Sequence, residues 1–283
     1  MQVKQAARLA ELLGVTVRAV TDVGSSHSWT LHRAVLADGR EVFVKAALDR
    51  AQVFRAEAAG LRWLAVGAPE LVPEVLAVDD RMLVLPWLPQ AAPTTATADR
   101  FGRDLAALHA NSPGSFGAPW AGWIADLPLD NTRFDGSWAR WYADHRLAPY
   151  LPRAADDLGR DGTRLLERVI DDIDTLAGPS EPSSRIHGDL WSGNLLWTAD
   201  RVLLVDPAAH GGHRETDLAM LALFGAPHLD RIRAAYQEIH PLADGWRARV
   251  PLHQLHPLLV HVVLFGGGYR SQTLAAAAAA LAA

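Results

Sequence analysis

A chain of 283 residues can build one large or two modest domains, each with a substantial core. Its 27 Lys and Arg against 32 Asp and Glu give a formal net charge of −5 with no basic run, which argues against a nucleic-acid binder. With no cysteine, disulfides, thiolate metal centres and a Cys nucleophile are excluded.

The first thirteen residues place Lys4, Arg8 and Glu11 among apolar positions and lack a signal-peptide core. Three short strands follow: Val15 to Val20, Trp29 to Leu36, and Glu41 to Lys45, the last two joined at Asp38-Gly39, a hairpin turn pair. Between the first two stands Val23-Gly24-Ser25-Ser26-His27-Ser28, where small hydroxyl residues let backbone N–H groups approach a phosphate. Lys45 is one of only two lysines, the other being Lys4, so an apolar strand in an Arg-biased chain carries a compact ammonium.

A helix is predicted through Glu57, with Asp49 and Gln52 as a capping box and Phe54, Ala58, Leu61 and Leu64 at helical spacing. Glu57 adjoins that stripe, so it is expected to point inward at Lys45 rather than pair with Arg50 or Arg62. An apolar strand, Arg81 to Leu85, then meets Pro86-Trp87-Leu88-Pro89, a stiff connector that cannot continue as helix. The expected division is residues 1–88, nucleotide-binding, and 89–283, carrying the catalytic loop and the acceptor site.

Helical patterns dominate beyond Ala98, beginning with Phe101, Leu105 and Leu108 on one face. Residues 114 to 131, broken by Pro119 and Pro128, read as loop. Helices are expected from Trp138, over Leu165 to Leu176, from about Thr216, from about Leu229, and from Leu252 to the Ala-rich end, the last bent at Gly266-Gly267-Gly268. The apolar stretch Leu258 to Phe265 is interrupted by His261 and too short to span a bilayer, so a soluble cytoplasmic protein is expected.

The most informative segment is His187-Gly188-Asp189-Leu190-Trp191-Ser192-Gly193-Asn194, followed by the apolar strand Val202 to Val205 that ends in Asp206. The Asp and the Asn stand at the spacing of a protein-kinase catalytic loop. Asp189 can accept a proton from an attacking hydroxyl, while Asn194 and Asp206 offer the hard oxygens that Mg2+ requires. In that layout Lys45 holds the α- and β-phosphates of ATP, with Glu57 as its partner. Ser25 and Ser26 cover the phosphates, and backbone groups at Leu85, Trp87 and Leu88 face adenine. Trp191, two residues after the Asp, is placed to wall in a sugar. Trp120, Trp123, Trp138 and Trp141 are further candidates to line a polyol pocket, although most of the ten tryptophans are expected to serve the core. His210 and His213, and the set His253, His256 and His261, have no carboxylate at a known metal spacing, so zinc is not expected. His187 is expected to brace the loop.

With these residues the chain resembles the fructosamine/ketosamine kinases, relatives of the aminoglycoside phosphotransferases and protein kinases. The likeness runs from Val15 to Tyr269. It includes Asp130-Asn131-Thr132 with Trp138 and Arg146 to Pro149, Asp206-Pro207-Ala208 with Gly212 to Met220, Gly245-Trp246-Arg247, and Leu264 to Tyr269. It departs most at the phosphate loop. The resemblance implies an α+β bilobal protein-kinase-like fold, with a small β-rich N-lobe and a larger helical C-lobe. It implies transfer of the ATP γ-phosphoryl to the 3-hydroxyl of a ketosamine, free or protein-bound, giving an unstable product and hence deglycation. It also implies that Asp217 accepts backbone N–H bonds from the catalytic loop. No nucleic acid or membrane partner is expected, and a monomer is favoured. An aminoglycoside, choline or homoserine phosphotransferase, and a nucleotide-binding pseudokinase regulator, remain as alternatives.

Overall fold

The computed structural model of the chain describes residues 3–26, 29–47 and 52–283. Its N-terminal part comprises α1 (Val3–Leu13), β1 (Val17–Ser26), β2 (Trp29–Leu36), β3 (Glu41–Ala46), α2 (Gln52–Gly67), β4 (Ala77–Val78) and β5 (Met82–Pro86). The strands form one antiparallel sheet in the order β1-β2-β3-β5-β4. The β2–β3 turn falls at Asp38-Gly39, where Gly39 takes a φ of 87°. Alternation along β2 and β3 sends Ala34, Leu36, Val42 and Val44 into a small core with Leu9 of α1. The helix α1 is a feature the sequence reading missed, its apolar face being interleaved with charges.

The larger part is mainly helical. In chain order it contains α3 (Thr95–Ala110), β6 (Gly122–Ile124), β7 (Leu127–Leu129), α4 (Trp138–Tyr142), α5 (Leu151–Asp171), α6 (Ile173–Leu176), β8 (Ser184–Ile186), β9 (Leu195–Trp197), β10 (Val202–Leu204), β11 (His210–Gly212), α7 (Arg214–Phe224), α8 (Leu229–Ile239), α9 (Trp246–Phe265) and α10 (Arg270–Leu281). Thr94 caps α3 by accepting the Thr97 N–H, with Thr97 returning a bond to the Thr94 N–H. Helices α3 and α8 cross at Gly102, where a Cβ would meet the Ile232 carbonyl oxygen at 2.3 Å, so only glycine permits that approach.

Three expectations need correction. Residues 114 to 131 are not all loop, because β6 and β7 pair there as a short hairpin, too brief to leave a period in the sequence. The helix expected over Leu165 to Leu176 is the end of the longer α5, kinked at Gly159 (φ 70°), followed by α6. The C-terminal helix is two helices, because Gly266 takes a φ of 75° and a short 3-10 turn over Gly266–Tyr269 separates α9 from α10. After α4 the turn widens into π-helix over Ala143–Leu147, with the Ala148 N–H reaching the Ala143 carbonyl, and Arg146 is thereby turned inward to full burial.

Candidate active site

The catalytic-loop segment sits between β8 and β9, and its shape is fixed from beneath by α7. Asp217, fully buried near the start of that helix, accepts the His187 N–H at 2.7 Å, the Gly188 N–H at 2.9 Å and His109 Nε2–H at 3.1 Å. His109 Nδ1 lies 3.0 Å from the Tyr236 hydroxyl, a contact that holds the ring against Asp217. Burial opposes charge on Asp217, but the His109 ring and the loop amides hold its carboxyl below the usual range. Gly188 has a φ of 79°, and a Cβ there would meet the Ala208 carbonyl oxygen at 2.4 Å.

His187 is a second brace. Its Nε2–H donates to the Val205 carbonyl at 2.9 Å and its Nδ1 accepts the Asp189 N–H at 3.2 Å, so the ring is neutral and both nitrogens are occupied. Burial pushes its pKa down, consistent with that state. Asn194 donates its amide to the Asp189 carbonyl at 2.8 Å and to Asp189 Oδ2 at 3.0 Å, leaving Oδ1 with no partner among the described residues.

Lys45, on β3, donates to Glu57 Oε2 on α2 at 2.9 Å and to Asp206 Oδ1, two contacts that link residues 12 and 161 apart. The ammonium also lies 5.0 Å over the Trp29 ring. Asp206 takes a φ of 55°, a left-handed conformation that Asp tolerates better than most residues. Burial and the nearby Asp206 charge push the Glu57 pKa up, while burial and Asp206 push Asp189 up to about 7. Burial would lower Lys45, but its two carboxylate partners raise it. Three carboxyl groups thus crowd one ammonium, and the upward push on Glu57 and Asp189 is what a divalent cation bound beside them would reverse.

These groups open on one cavity of about 380 Å³ lined by Lys45, Glu57, Asp189, Trp191, Asn194 and Asp206. Trp191 is 40 % exposed there, with its ring 6.4 Å from that of Phe224. Of the opposite wall, sequence reasoning offered only Trp123. That wall includes the β6–β7 hairpin at Trp123, Ile124 and Ala125 together with Phe224 at the end of α7, His261 and Phe265 of α9, and Tyr269 of the 3-10 turn that follows. Aromatic residues at 224, 261, 265 and 269 were a usable signal, but helical spacing alone does not separate a cavity wall from core. Trp120 packs edge-on to Trp63, and Trp138 and Trp141 are buried, so of the four tryptophans considered only Trp123 lines the cavity.

Other expected nucleotide contacts are not brought to this cavity. Ser25 is exposed and pairs with Thr30 in the β1–β2 ladder, as Ser26 does with Trp29, while His27, Ser28 and the capping residue Asp49 lie outside the described residues. Leu85 is buried in β5 opposite Phe43. The Trp87 N–H already donates to the Glu41 carbonyl at 3.0 Å and its ring lies 5.0 Å under the Arg33 guanidinium. That leaves the Leu88 N–H, between two prolines, without a partner among the described residues.

The structure also assembles a His–carboxylate set that the sequence spacing did not reveal. Ligand atoms of His213, Glu215 and His253 lie within 4.8 Å of one another. Arg249, however, donates to both Glu215 oxygens, at 3.0 and 2.5 Å, and His213 Nδ1 accepts the Glu215 N–H, placing its proton on Nε2. Trp138 stacks on His253 with centroids 4.5 Å apart. The set is a buried brace beneath α7, with a guanidinium where a cation would sit.

A sequence model of the fructosamine kinase family matches residues 3–282. A probable ketoamine kinase from Synechocystis is 36 % identical over 249 residues, covering 84 % of this chain and 82 % of the relative. A crystal structure from Thermobifida fusca, named as a candidate fructosamine-3-kinase, superposes with a TM-score of 0.95 at 55 % identity, covering 98 % of each chain. A macrolide 2'-phosphotransferase from Brachybacterium faecium, 18 % identical with a TM-score of 0.63 over 98 % of this chain and 96 % of that one, shares the fold.

Proposed function

Because the chain belongs to the fructosamine kinase family, we propose that it transfers the γ-phosphoryl group of ATP to the 3-hydroxyl of a ketosamine, the sugar adduct of an amine. The observation that supports this best is the convergence of Asp189, Asn194, Asp206, Lys45 and Glu57 on one cavity whose other wall is aromatic. Residues 1–88 supply the nucleotide side of this reading and residues 89–283 the catalytic loop and acceptor side.

Asp189 receives the proton of the 3-hydroxyl as that oxygen bonds to the γ-phosphorus and the bond to the β,γ-bridging oxygen breaks, leaving ADP. Asn194 keeps the Asp189 carboxylate oriented through its amide. Lys45, held by Glu57, balances charge on the α- and β-phosphates. Asn194 Oδ1 and Asp206 would hold Mg2+, which when bound neutralises charge on the transferring phosphate. His187 and Asp217 keep the loop in shape and do not meet the reactants. Trp191 walls in the sugar, Ser25 and Ser26 cover the phosphates, and the connector from Leu85 through Trp87 to Leu88 meets adenine, chiefly through the Leu88 N–H. The phosphorylated adduct then decomposes and frees the amine.

An aminoglycoside acceptor carries several positive charges and calls for carboxylates along its pocket. In this cavity the acidic liners, Glu57, Asp189 and Asp206, all stand at the phosphoryl-transfer end. Among the described residues no helix is long and apolar enough to cross a membrane.

The test is ATP consumption by the purified chain against fructosamines, ribulosamines, aminoglycosides and amino alcohols, with Asp189→Asn as the control. Asp189→Asn should lower turnover of the preferred ketosamine by ~10²–10⁴-fold, the range for loss of a general base. Phosphorylation of an aminoglycoside or amino alcohol with no ketosamine turnover would overturn the substrate assignment. ATP binding without phosphoryl transfer to any acceptor would favour a regulator.

A further inference from the structure

The far end of the cavity carries a connected series of rings. Trp191 leads to Phe224 at 6.4 Å, Phe224 to His261 at 4.8 Å, and His261 to Tyr269 at 4.8 Å and Phe265 at 5.5 Å. Trp191 follows the catalytic Asp by two residues, whereas Phe265 is 59 % exposed at the cavity rim, so the series runs from the transfer centre to solvent. No charged side chain belongs to this wall among the described cavity-lining residues.

His261 is its one imidazole, beside the hydroxyl of Tyr269 and the indole N–H of Trp191. Its Nδ1 lies 2.7 Å from the Pro257 carbonyl oxygen, and a carbonyl can only accept, so Nδ1 carries the hydrogen. Burial pushes the pKa of the ring below its ordinary value, which favours the neutral form. Nε2 therefore holds a lone pair, and it has no partner among the described residues. A half-buried acceptor within an aromatic wall suits a ligand group that is cationic and donates N–H.

A ketosamine has that group. Its secondary ammonium is separated from the 3-hydroxyl by only three carbons, so a substrate with its hydroxyl at Asp189 directs its nitrogen along the ring series. We propose that His261 determines specificity for the amine half, its Nε2 accepting a hydrogen bond from the substrate ammonium while Phe224, Tyr269 and Phe265 enclose that cation and its apolar substituent. The inference rests on the ketosamine-kinase reading. It names the preferred acceptor as a ketosamine of a singly charged amine with an apolar or aromatic substituent, in preference to one of a polyamine, because the wall offers rings and neutral polar groups, the imidazole of His261 and the hydroxyl of Tyr269, but no carboxylate for a second charge.

The experiment is steady-state kinetics of the full chain with fructosamines of benzylamine and of spermidine. Wild type, His261→Phe, His261→Gln and Phe265→Ala are compared, and ATP and acceptor are varied separately. His261→Phe keeps a stacking ring and loses the acceptor, so KM for the benzylamine adduct should rise about tenfold or more, the scale of losing a hydrogen bond to a charged group. KM for ATP should not rise with it. His261→Gln, which retains an acceptor, should recover part of the loss, and Phe265→Ala should narrow the preference for benzylamine over spermidine. Thermal melting of each variant separates a binding loss from a folding loss. If wild type turns over ketosamines and His261→Phe leaves the acceptor KM within twofold, or if the spermidine adduct is the better substrate, this inference fails while the kinase reading stands. If wild type turns over no ketosamine, both fail.

Discussion

Replacing Asp217 with Asn changes one atom and removes one charge at a site that never meets substrate. The carboxylate takes three donors: Oδ2 accepts the His187 N–H and His109 Nε2–H, and Oδ1 accepts the Gly188 N–H. An amide can satisfy only one face. With its oxygen at the Oδ2 position it keeps two bonds and sets its NH2 against the Gly188 N–H; flipped, it loses two. The favoured flip leaves a buried donor unpaired and weakens two charge-assisted bonds, about 2–4 kcal/mol in all. For a chain of this size that corresponds to a fall of roughly 5–15 °C in Tm, small enough for the protein to remain folded. The damage should concentrate in the loop, since Gly188 immediately precedes Asp189, and a displacement on the order of 1 Å there costs turnover by roughly 10²-fold. Thermal unfolding together with ketosamine-dependent ADP release checks both effects. A variant that melts within 2 °C of wild type (roughly the shift from under 1 kcal/mol) and retains half its turnover would refute the idea that α7 positions the catalytic loop through this carboxylate.

Asp206→Ala and Asn194→Ala should each raise the Mg2+ concentration giving half-maximal turnover, Asp206 more severely because it supplies charge as well as an oxygen; unchanged titrations would show that neither holds the metal. Gly102→Ala adds a better helix former, worth about 1 kcal/mol, yet sets a Cβ 2.3 Å from the Ile232 carbonyl oxygen. Overpacking should dominate and destabilise by ~1–3 kcal/mol, and a variant more stable than wild type in urea would contradict the observed α3–α8 crossing. Burial opposes ionisation of Glu215, yet the His253 and Arg249 side chains beside it hold its carboxyl down at about 2. A depressed carboxylate stabilises the fold above its unfolded pKa of about 4.5 and loses that contribution as pH falls toward 2. Tm measured against pH should therefore fall less steeply across that window in Glu215→Gln than in wild type, and parallel curves would remove Glu215 from the acid response.

The loop from His187 to Asn194 was legible because its chemistry is contained in eight consecutive residues, and a spacing of five between Asp and Asn survives whatever surrounds it. The sheet was legible because Val and Phe alternate along β3 and Asp38-Gly39 marks its turn, and Lys45, one of two lysines, stood out against an Arg-rich background. Other features had no local pattern. The β6–β7 hairpin consists of two three-residue strands, shorter than any readable period, and the inward turn of Arg146 follows from one widened helical turn. The set His213, Glu215 and His253 joins residues 40 positions apart through the packing of α7 against α9, and its pairing with Arg249 is invisible to motif spacing.

By itself the sequence determined the fold class and the family, and it named the residues proposed for the reacting end of the site, since backbone periodicity and short motifs are encoded among near neighbours. Tertiary structure alone decided that Phe224, His261, Phe265 and Tyr269 face the same cavity as Asp189, and that the Trp87 N–H is already engaged in the sheet. An aromatic residue at helical spacing has the same local propensity whether it faces a core or a cavity. Which of the two it meets depends on how distant helices pack, and that is set by the burial of the whole chain rather than by any one segment of it.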